Sequence, residues 1–253
     1  MSKTLTFSML IKHYLEFLVR ARKSYIVAIL GTLTLMLILP YSIMINQLSQ
    51  VQDNPLLVQN IKNTVKAMIL ILDPLMVALI GSAILMQITN EERTKRILEY
   101  TIASTPLRIV EFIIVRGLGM TVILLILAFV SIVTQMLWLY TSIALHIDAF
   151  FLCLLTLSTT MLTLGLSFLS ATIPIIIPPR YAQLITLAIV AILNIVFFIA
   201  IKGATSISGN LSSNLLFKYN FLYIILGLAL ILIVMLLIKY HEDKIAMNII
   251  TSD

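Results

Sequence analysis

Six long apolar stretches alternate with polar segments along the chain, and this pattern predicts its architecture. Each stretch is about 20 residues long, the length that an α-helix needs to cross a hydrocarbon core of about 30 Å. Backbone groups in lipid must be hydrogen-bonded within their own segment, so we expect each stretch to be helical. The pattern predicts an all-α integral membrane protein with one domain over residues 1–253 and six transmembrane helices at about 25–45, 67–88, 117–139, 149–173, 181–201 and 221–238.

The first stretch, residues 25–45, is interpreted as a retained helix and not as a cleaved signal peptide. Its apolar run exceeds the roughly 7–15 residues that are usual for a signal peptide, and no small-x-small cleavage site follows it. Five further predicted spans come after it.

The segment before the first span, residues 4–23, has the periodicity of an amphipathic helix. Apolar and charged residues each recur at steps of three and four on separate faces. Such a helix lies at the membrane interface, with its apolar face in the acyl boundary. It is either a basic anchor or a mechanical link between a cytoplasmic partner and the first span. The apolar positions are Phe7, Ile11, Tyr14 and Leu18, and the charged ones are Lys12, Glu16, Arg20 and Lys23.

Composition and charge agree with a membrane protein. Hydrophobic residues make up 60% of the 253 residues and charged residues 11%, against about half and about a quarter in soluble domains. The net charge of +6 comes from groups that flank the apolar runs, which favours contact with anionic lipid over nucleic acid. The partner implied at this level is the lipid membrane.

Lysine and arginine are unevenly divided between the two predicted sides of the membrane. The side that holds both termini and the loop between the second and third spans carries 13 of them, and the other side carries 4. The positive-inside rule places the side with 13 in the cytoplasm. We therefore predict a multi-pass protein of the cell (plasma) membrane with both termini cytoplasmic.

Residues that could carry chemistry are few. Cys153 is the single cysteine, and the three histidines are far apart without ligand spacing. The sequence lacks the G-x-x-x-x-G-K-[ST] loop that cradles ATP phosphates, and the spans hold no converging catalytic groups. We therefore predict that the chain is not an enzyme and binds no metal or cofactor itself.

The loop between the second and third spans, residues 89–116, reads TNEERTKRILEYTIASTPLRIVEFIIVR. Its helix formers predict a short helix over about Glu92 to Ala103, followed by a break and a new helix start at Pro106. The alternative is a solvated charge run without a partner.

This loop resembles the coupling-helix loop of type-2 ABC transporter permeases, whose pattern is close to E-E-R-x-x-G-T-L-E-x-L-L-x-[ST]-P. Arg96 stands here where the family has Gly, Ile97 stands where it has Thr, and Thr105 is an extra residue before Pro106. The motif covers about 16 residues, and the layout of six spans with an interfacial helix covers the whole chain. Ala103 and Ser104 also belong to the match. The six residues of the match that are candidates for a functional role are Glu91, Glu92, Arg93, Leu98, Glu99 and Pro106.

The resemblance implies a permease subunit of an ATP-driven exporter. Two such subunits, identical or different, pair in the membrane, and separate ATP-binding-cassette ATPase subunits hold the ATP and Mg. The six residues just listed would then form the coupling element that docks on the ATPase. The weakly charged spans favour a hydrophobic or amphiphilic cargo, such as a drug, lipid or peptide.

Polar residues within the spans are the second set of candidates. Asp73 is the one charge inside a predicted span, a placement that is costly in lipid. It is either a gate or substrate contact, or a boundary residue that reaches water or caps the helix at Pro74. Asn194 lies in the fifth predicted span, and the hydroxyl residues of the fourth span bond a neighbouring helix or their own backbone. Asp73 and Asn194 are therefore candidates for a translocation path or gate.

Other functions remain open at this point. The main alternative is an ATP-independent secondary transporter or channel, a class that usually carries several intramembrane charges. An intramembrane enzyme would need paired aspartates or a His cluster, which the spans lack. A membrane anchor or immunity-type protein without transport activity is also compatible with the sequence.

Overall fold

The computed structural model describes residues 23–50, 54–96, 109–176 and 213–250, together with the isolated positions Lys12, Tyr181, Ala188 and Ile195. These ranges form five helices, and the described residues include no strand. The helices are α1 Lys23–Gln50, α2 Pro55–Thr94, α3 Ile109–Ile143, α4 Ala149–Ile176 and α5 Ser213–Ile250. The predicted all-helical class is confirmed.

Four described helical segments are long and apolar enough to cross a membrane, namely Pro55–Thr94, Val110–Ile143, Ala149–Ile176 and Asn220–Tyr240. In α1 the described apolar stretch, Leu30–Ile43, is shorter. These helices contain the predicted spans at 25–45, 67–88, 117–139, 149–173 and 221–238. The predicted span at 181–201 and the interfacial helix at 4–23 lie, except for isolated positions, outside the described residues.

Several helices extend well beyond the predicted spans. The 40 residues of α2 correspond to a length of roughly 60 Å, about twice the hydrocarbon core of a bilayer. Prolines lie inside three helices, at Pro40 in α1, Pro74 in α2 and Pro174 in α4. The expected end of the fourth span near Pro174 is therefore displaced, since α4 continues to Ile176.

Helix α2 is the central element of the described bundle. It contacts all four other helices, while α4 packs mainly on α2 and α5, and α1 packs on α2 and α3. Most of the segment from Val65 to Leu79 is buried. Tyr223 of α5 donates a 2.8 Å hydrogen bond to the carbonyl of Ile71, close to the proline in α2.

The outer faces of the bundle are apolar. One stripe on α3 and another on α5 expose large aliphatic and aromatic side chains at helical spacing. Soluble proteins rarely expose contiguous apolar surface of this extent, whereas lipid covers it without cost. The stripes include Val122, Ile126, Phe129, Val133 and Leu137 on α3, and Leu222, Ile225, Leu228, Leu232 and Leu236 on α5.

Helices α4 and α5 cross with their backbones in contact. A Cβ atom built on Gly227 would lie 2.3 Å from the carbonyl oxygen of Met161, and one built on Gly165 would lie 2.6 Å from the carbonyl oxygen of Gly227. Small residues at helix crossings permit this close approach in membranes, where packing must replace the hydrophobic effect between helices. The two glycines therefore set the separation of α4 and α5.

Candidate functional site

The charged run after the second span continues the helix of that span. α2 runs through Glu91, Glu92 and Arg93 and ends at Thr94, and the chain turns at Lys95 and Arg96. The predicted start of a separate short helix at Glu92 is therefore wrong, because the same helix formers extend α2. The rest of that predicted helix, from Ile97 to Ala103, lies outside the described residues.

Arg96 adopts the left-handed conformation in the turn that ends α2, with φ of 57°. The turn is closed by hydrogen bonds from Lys95 N to Glu91 O at 3.0 Å and from Arg96 N to Arg93 O at 2.9 Å. Glycine is the residue that most often takes this conformation after a helix. The tight turn thus forms even though Arg96 stands where the resembled family has Gly.

We expect Arg96→Gly to raise the free energy of unfolding by about 0.5–1 kcal/mol. The left-handed conformation costs an L-residue about 1–2 kcal/mol, and the larger entropy of glycine in the unfolded chain offsets part of that gain. Lys95→Gly is the matched control. Lys95 has an ordinary φ of −85°, so glycine relieves no strain there and should only lower the free energy of unfolding. Denaturant unfolding of the purified chain measures both. Equal losses of stability in the two variants would contradict the assigned turn.

A buried ion pair joins the end of α2 to α3. Arg116 Nη2 donates to Glu92 Oε2, and both side chains are almost fully buried, at 2% and 3% exposure. The same nitrogen donates a 3.0 Å hydrogen bond to the hydroxyl of Thr89, one turn earlier on α2. Because a buried charge is tolerated only with a hydrogen-bonded partner, the pair fixes the two helix ends to each other.

Arg93 extends this connection to α4. Its Nη1 donates to the backbone carbonyl of Pro174, 81 residues further along the chain. We name the set formed by Thr89, Glu92, Arg93 and Arg116 with the Pro174 carbonyl the α2-end cluster. It holds α2, α3 and α4 together at one end of the bundle.

The structure divides the predicted coupling residues into three groups. Glu92 and Arg93 are buried, and Glu91 is partly exposed at 4.0 Å from the Lys95 ammonium group. Leu98, Glu99 and Pro106 lie outside the described residues. Glu92 and Arg93 therefore contact their own bundle.

Asp73 lies near the middle of α2 and is 1% exposed. The helix does not end at Pro74, so Asp73 neither caps it nor reaches solvent in this chain, in contrast to the boundary interpretation of the sequence. Its Oδ1 accepts a 2.8 Å hydrogen bond from the hydroxyl of Tyr41 on α1. Asn194, the other intramembrane candidate, lies outside the described residues.

The sequence does not predict the partners of Glu92 and Asp73. In the sequence Arg116 is one of the cations that flank the spans, and Tyr41 is part of an apolar span. The signal was present in each case, since an arginine borders the third span and a polar hydroxyl lies deep in the first. What was missing was the pairing between spans that brings these groups to Glu92 and Asp73.

The hydroxyl residues of α4 mostly bond their own helix, one of the two predicted alternatives. Ser158, Thr159 and Thr160 each donate to a carbonyl four residues earlier, at 2.6 to 2.8 Å. Ser170 also reaches the Ser82 carbonyl of α2 at 3.3 Å. These groups therefore contribute little free polar surface.

An apolar groove of about 730 Å³ lies between α3 and α4. Its wall includes Phe129, Val133 and Leu137 of α3 and Thr156 of α4. At one end the rings of Tyr140 and His146 meet edge to face, with centroids 5.9 Å apart. The groove thus combines an apolar wall with a polar end, a surface suited to an amphiphilic molecule.

No protein-family model matches the chain, and neither the curated proteins nor the solved structures compared with it include a match. The features of the described residues that bear on function are therefore the α2-end cluster, the intramembrane polar groups and the groove.

Proposed function

We propose that the chain is the membrane-spanning permease subunit of an ATP-driven ABC exporter. A separate ATP-binding-cassette ATPase would dock on the cytoplasmic loop, and a second permease subunit, identical or different, would complete the membrane part. ATP and Mg would bind to the ATPase. The chain would lie in the cell membrane with six spans and both termini in the cytoplasm.

The α2-end cluster is the observation that carries this proposal. A motor outside the membrane can move the spans only if the element it pushes is firmly joined to them. The ion pair between Glu92 and Arg116 joins α2 and α3, the two helices that precede and follow residues 97–108 in the sequence, and Arg93 joins the same point to α4. A displacement of that loop would therefore act on α2, α3 and α4 as one unit.

The groove between α3 and α4 supports the proposed class of cargo. Its apolar wall and its Tyr140–His146 end match an amphiphile with a long apolar part and a polar head. A drug, a lipid or an apolar peptide has this character, whereas a small charged solute does not.

The coupling assignment predicts a specific loss of motor stimulation. When the chain is co-purified with its cognate ATP-binding-cassette ATPase, we expect Leu98→Asp and Glu99→Ala to lower stimulated ATP hydrolysis at least about fivefold, because coupling energies between sites are typically about 1–3 kcal/mol. Gln59→Ala, at an exposed position near the other end of α2, is the control and should leave stimulation unchanged. Unchanged assembly and unchanged hydrolysis in both loop variants would overturn the assignment.

A secondary transporter or channel is the second candidate, and Asp73 is the observation that favours it. Buried intramembrane carboxylates are typical of ion-coupled transport. Proteoliposomes that hold the chain alone distinguish the two proposals. Cargo movement driven by an ion gradient without any ATPase would favour the second candidate, and movement only with ATPase and ATP would favour the first.

A further inference from the structure

The environment of Asp73 is incomplete in hydrogen bonds. Oδ1 accepts from the Tyr41 hydroxyl at 2.8 Å, whereas Oδ2 is buried and has no hydrogen-bond partner among the described residues. An ionised carboxylate in an apolar interior needs more than one donor, since its transfer from water is very unfavourable. One hydroxyl does not meet that need.

Gln135 of α3 has the complementary deficit. Its Nε2 donates a 3.2 Å hydrogen bond to the Leu37 carbonyl of α1, one turn before Tyr41. Its Oε1 is buried and has no donor among the described residues. The amide lies beside both the Tyr41 hydroxyl and the Asp73 carboxyl, but it makes no hydrogen bond with Asp73 Oδ2, which has no partner among the described residues.

No cation in the described part of the chain compensates Asp73. The titratable groups presented by neighbouring helices are Tyr41 of α1 and Tyr223 of α5, which donates to the Ile71 carbonyl. From α3 comes the neutral Gln135, and the buried residues of α4 are apolar or carry neutral hydroxyl groups. The nearest cation on α2 itself is Lys66, seven residues away, which is about 10 Å along the axis.

A metal ion fits this site poorly. Among the described residues, no three His, Cys, Asp or Glu side chains lie close enough together to hold one. Hard cations such as Ca²⁺ and Mg²⁺ take about six or more oxygen ligands, while the unused oxygens here are two, Asp73 Oδ2 and Gln135 Oε1.

We propose that Asp73 is a buried proton-binding site, with the proton on Oδ2. The proton removes the buried charge and leaves Oδ1 to accept from the Tyr41 hydroxyl, which joins α1 to α2. Beside it, the hydrogen bond from Gln135 to the Leu37 carbonyl joins α3 to α1. This inference does not depend on the proposed exporter function.

The proton therefore controls how three helices pack. With the proton bound, Asp73 is neutral, and α1 is held on α2 by Tyr41 and on α3 by Gln135. Loss of the proton leaves a buried charge with one short hydrogen bond, so the helices must separate or admit water. Proton release and an opening between α1 and the α2–α3 pair are thus coupled in this site.

Infrared spectroscopy of the full-length chain in lipid nanodiscs tests the proposal. A protonated carboxyl has a C=O stretching band that a carboxylate lacks. We expect this band at neutral pH in the wild-type chain and its loss in Asp73→Asn. Asp148→Asn, at an exposed loop position, is the control and should retain the band. Tyr41→Phe should shift the band to higher frequency, because it removes the 2.8 Å hydrogen bond that the Asp73 carbonyl oxygen accepts, and this readout remains if Asp73→Asn does not fold.

Stability against pH gives an independent readout. If the folded chain holds a proton that the unfolded chain has released, the folded state binds more protons, and its stability must fall as pH rises above the ordinary pKa of an aspartate carboxyl, about 4. Asp73→Asn, whose amide mimics the neutral acid, should lack this part of the pH dependence. The absence of the band from the folded wild-type chain at neutral pH would overturn the proposal. So would a band that Na⁺ removes at constant pH, because the site would then bind a cation.

Discussion

Replacement of Arg116 by alanine is expected to lower the free energy of unfolding by about 3–5 kcal/mol, because it leaves the buried Glu92 carboxylate without its partner. The two side chains are 2% and 3% exposed, so water cannot take over the missing interaction. Thr89 would also lose the donor that reaches its hydroxyl at 3.0 Å. Equilibrium unfolding of the purified chain in mixed micelles measures the loss.

Two further variants identify the cause of that loss. Lys95→Ala removes the exposed pair with Glu91, whose atoms are 4.0 Å apart, and should cost less than about 0.5 kcal/mol, as surface pairs do. The double variant Glu92→Met with Arg116→Met removes both buried charges and should regain most of the stability, since apolar pairs replace buried ion pairs with little loss. A cost for Arg116→Ala no larger than that for Lys95→Ala would contradict the buried ion pair.

The positions of the four candidate spans could be predicted from the sequence because length and apolarity decide them. A helix in lipid must satisfy its backbone internally, so an apolar run of about 20 residues leaves little choice of structure. The predicted start of the fourth span at Ala149 coincides with the start of α4. The helix ends were less predictable, since apolarity marks the lipid-exposed length, whereas α2 continues through charged helix formers to Thr94.

The contents of the candidate site could be predicted only one residue at a time. Asp73 and Glu92 were identified from their charge, but their partners belong to other helices and carry no local signal. The depth of each polar residue within its predicted span would have suggested that three of them lie together. Tyr41, Asp73 and Gln135 lie 16, 15 and 18 residues from the inner ends of their predicted spans, counted from positions 25, 88 and 117. At about 1.5 Å per residue these depths agree within a few Å, but which helices are neighbours depends on tertiary packing.

The crossing of α4 and α5 illustrates this dependence on tertiary packing. Gly165 and Gly227 are ordinary small residues in apolar runs, and nothing local distinguishes them from Gly31 of α1. The difference appears only in the packed bundle, where Gly31 has no atom within 4 Å of a built Cβ and Gly227 has a backbone oxygen at 2.3 Å. A glycine-to-alanine substitution should therefore have opposite effects on stability at Gly31 and Gly227.

Gly227→Ala is expected to destabilise the chain by about 3 kcal/mol or more, the upper end of the range for overpacked cores. The atom in the way is the carbonyl oxygen of Met161, which belongs to the α4 backbone and cannot rotate aside. Gly31→Ala should instead be neutral or raise stability by up to about 1 kcal/mol, because alanine lowers the entropy of the unfolded chain at an unhindered helical position. Unfolding midpoints of the two variants in the same micelles give the comparison.

Gly81→Ala provides the intermediate case and tests the reason for the difference. Its built Cβ meets the methyl carbons of Leu124 at 2.7 Å, and a leucine side chain can move where a backbone carbonyl cannot. The cost should therefore lie between those of the other two substitutions, at about 1 kcal/mol for a small overpacking. If the Gly227→Ala variant is as stable as the Gly81→Ala variant, α4 and α5 can separate freely at their crossing. The backbone contact would then not set their spacing.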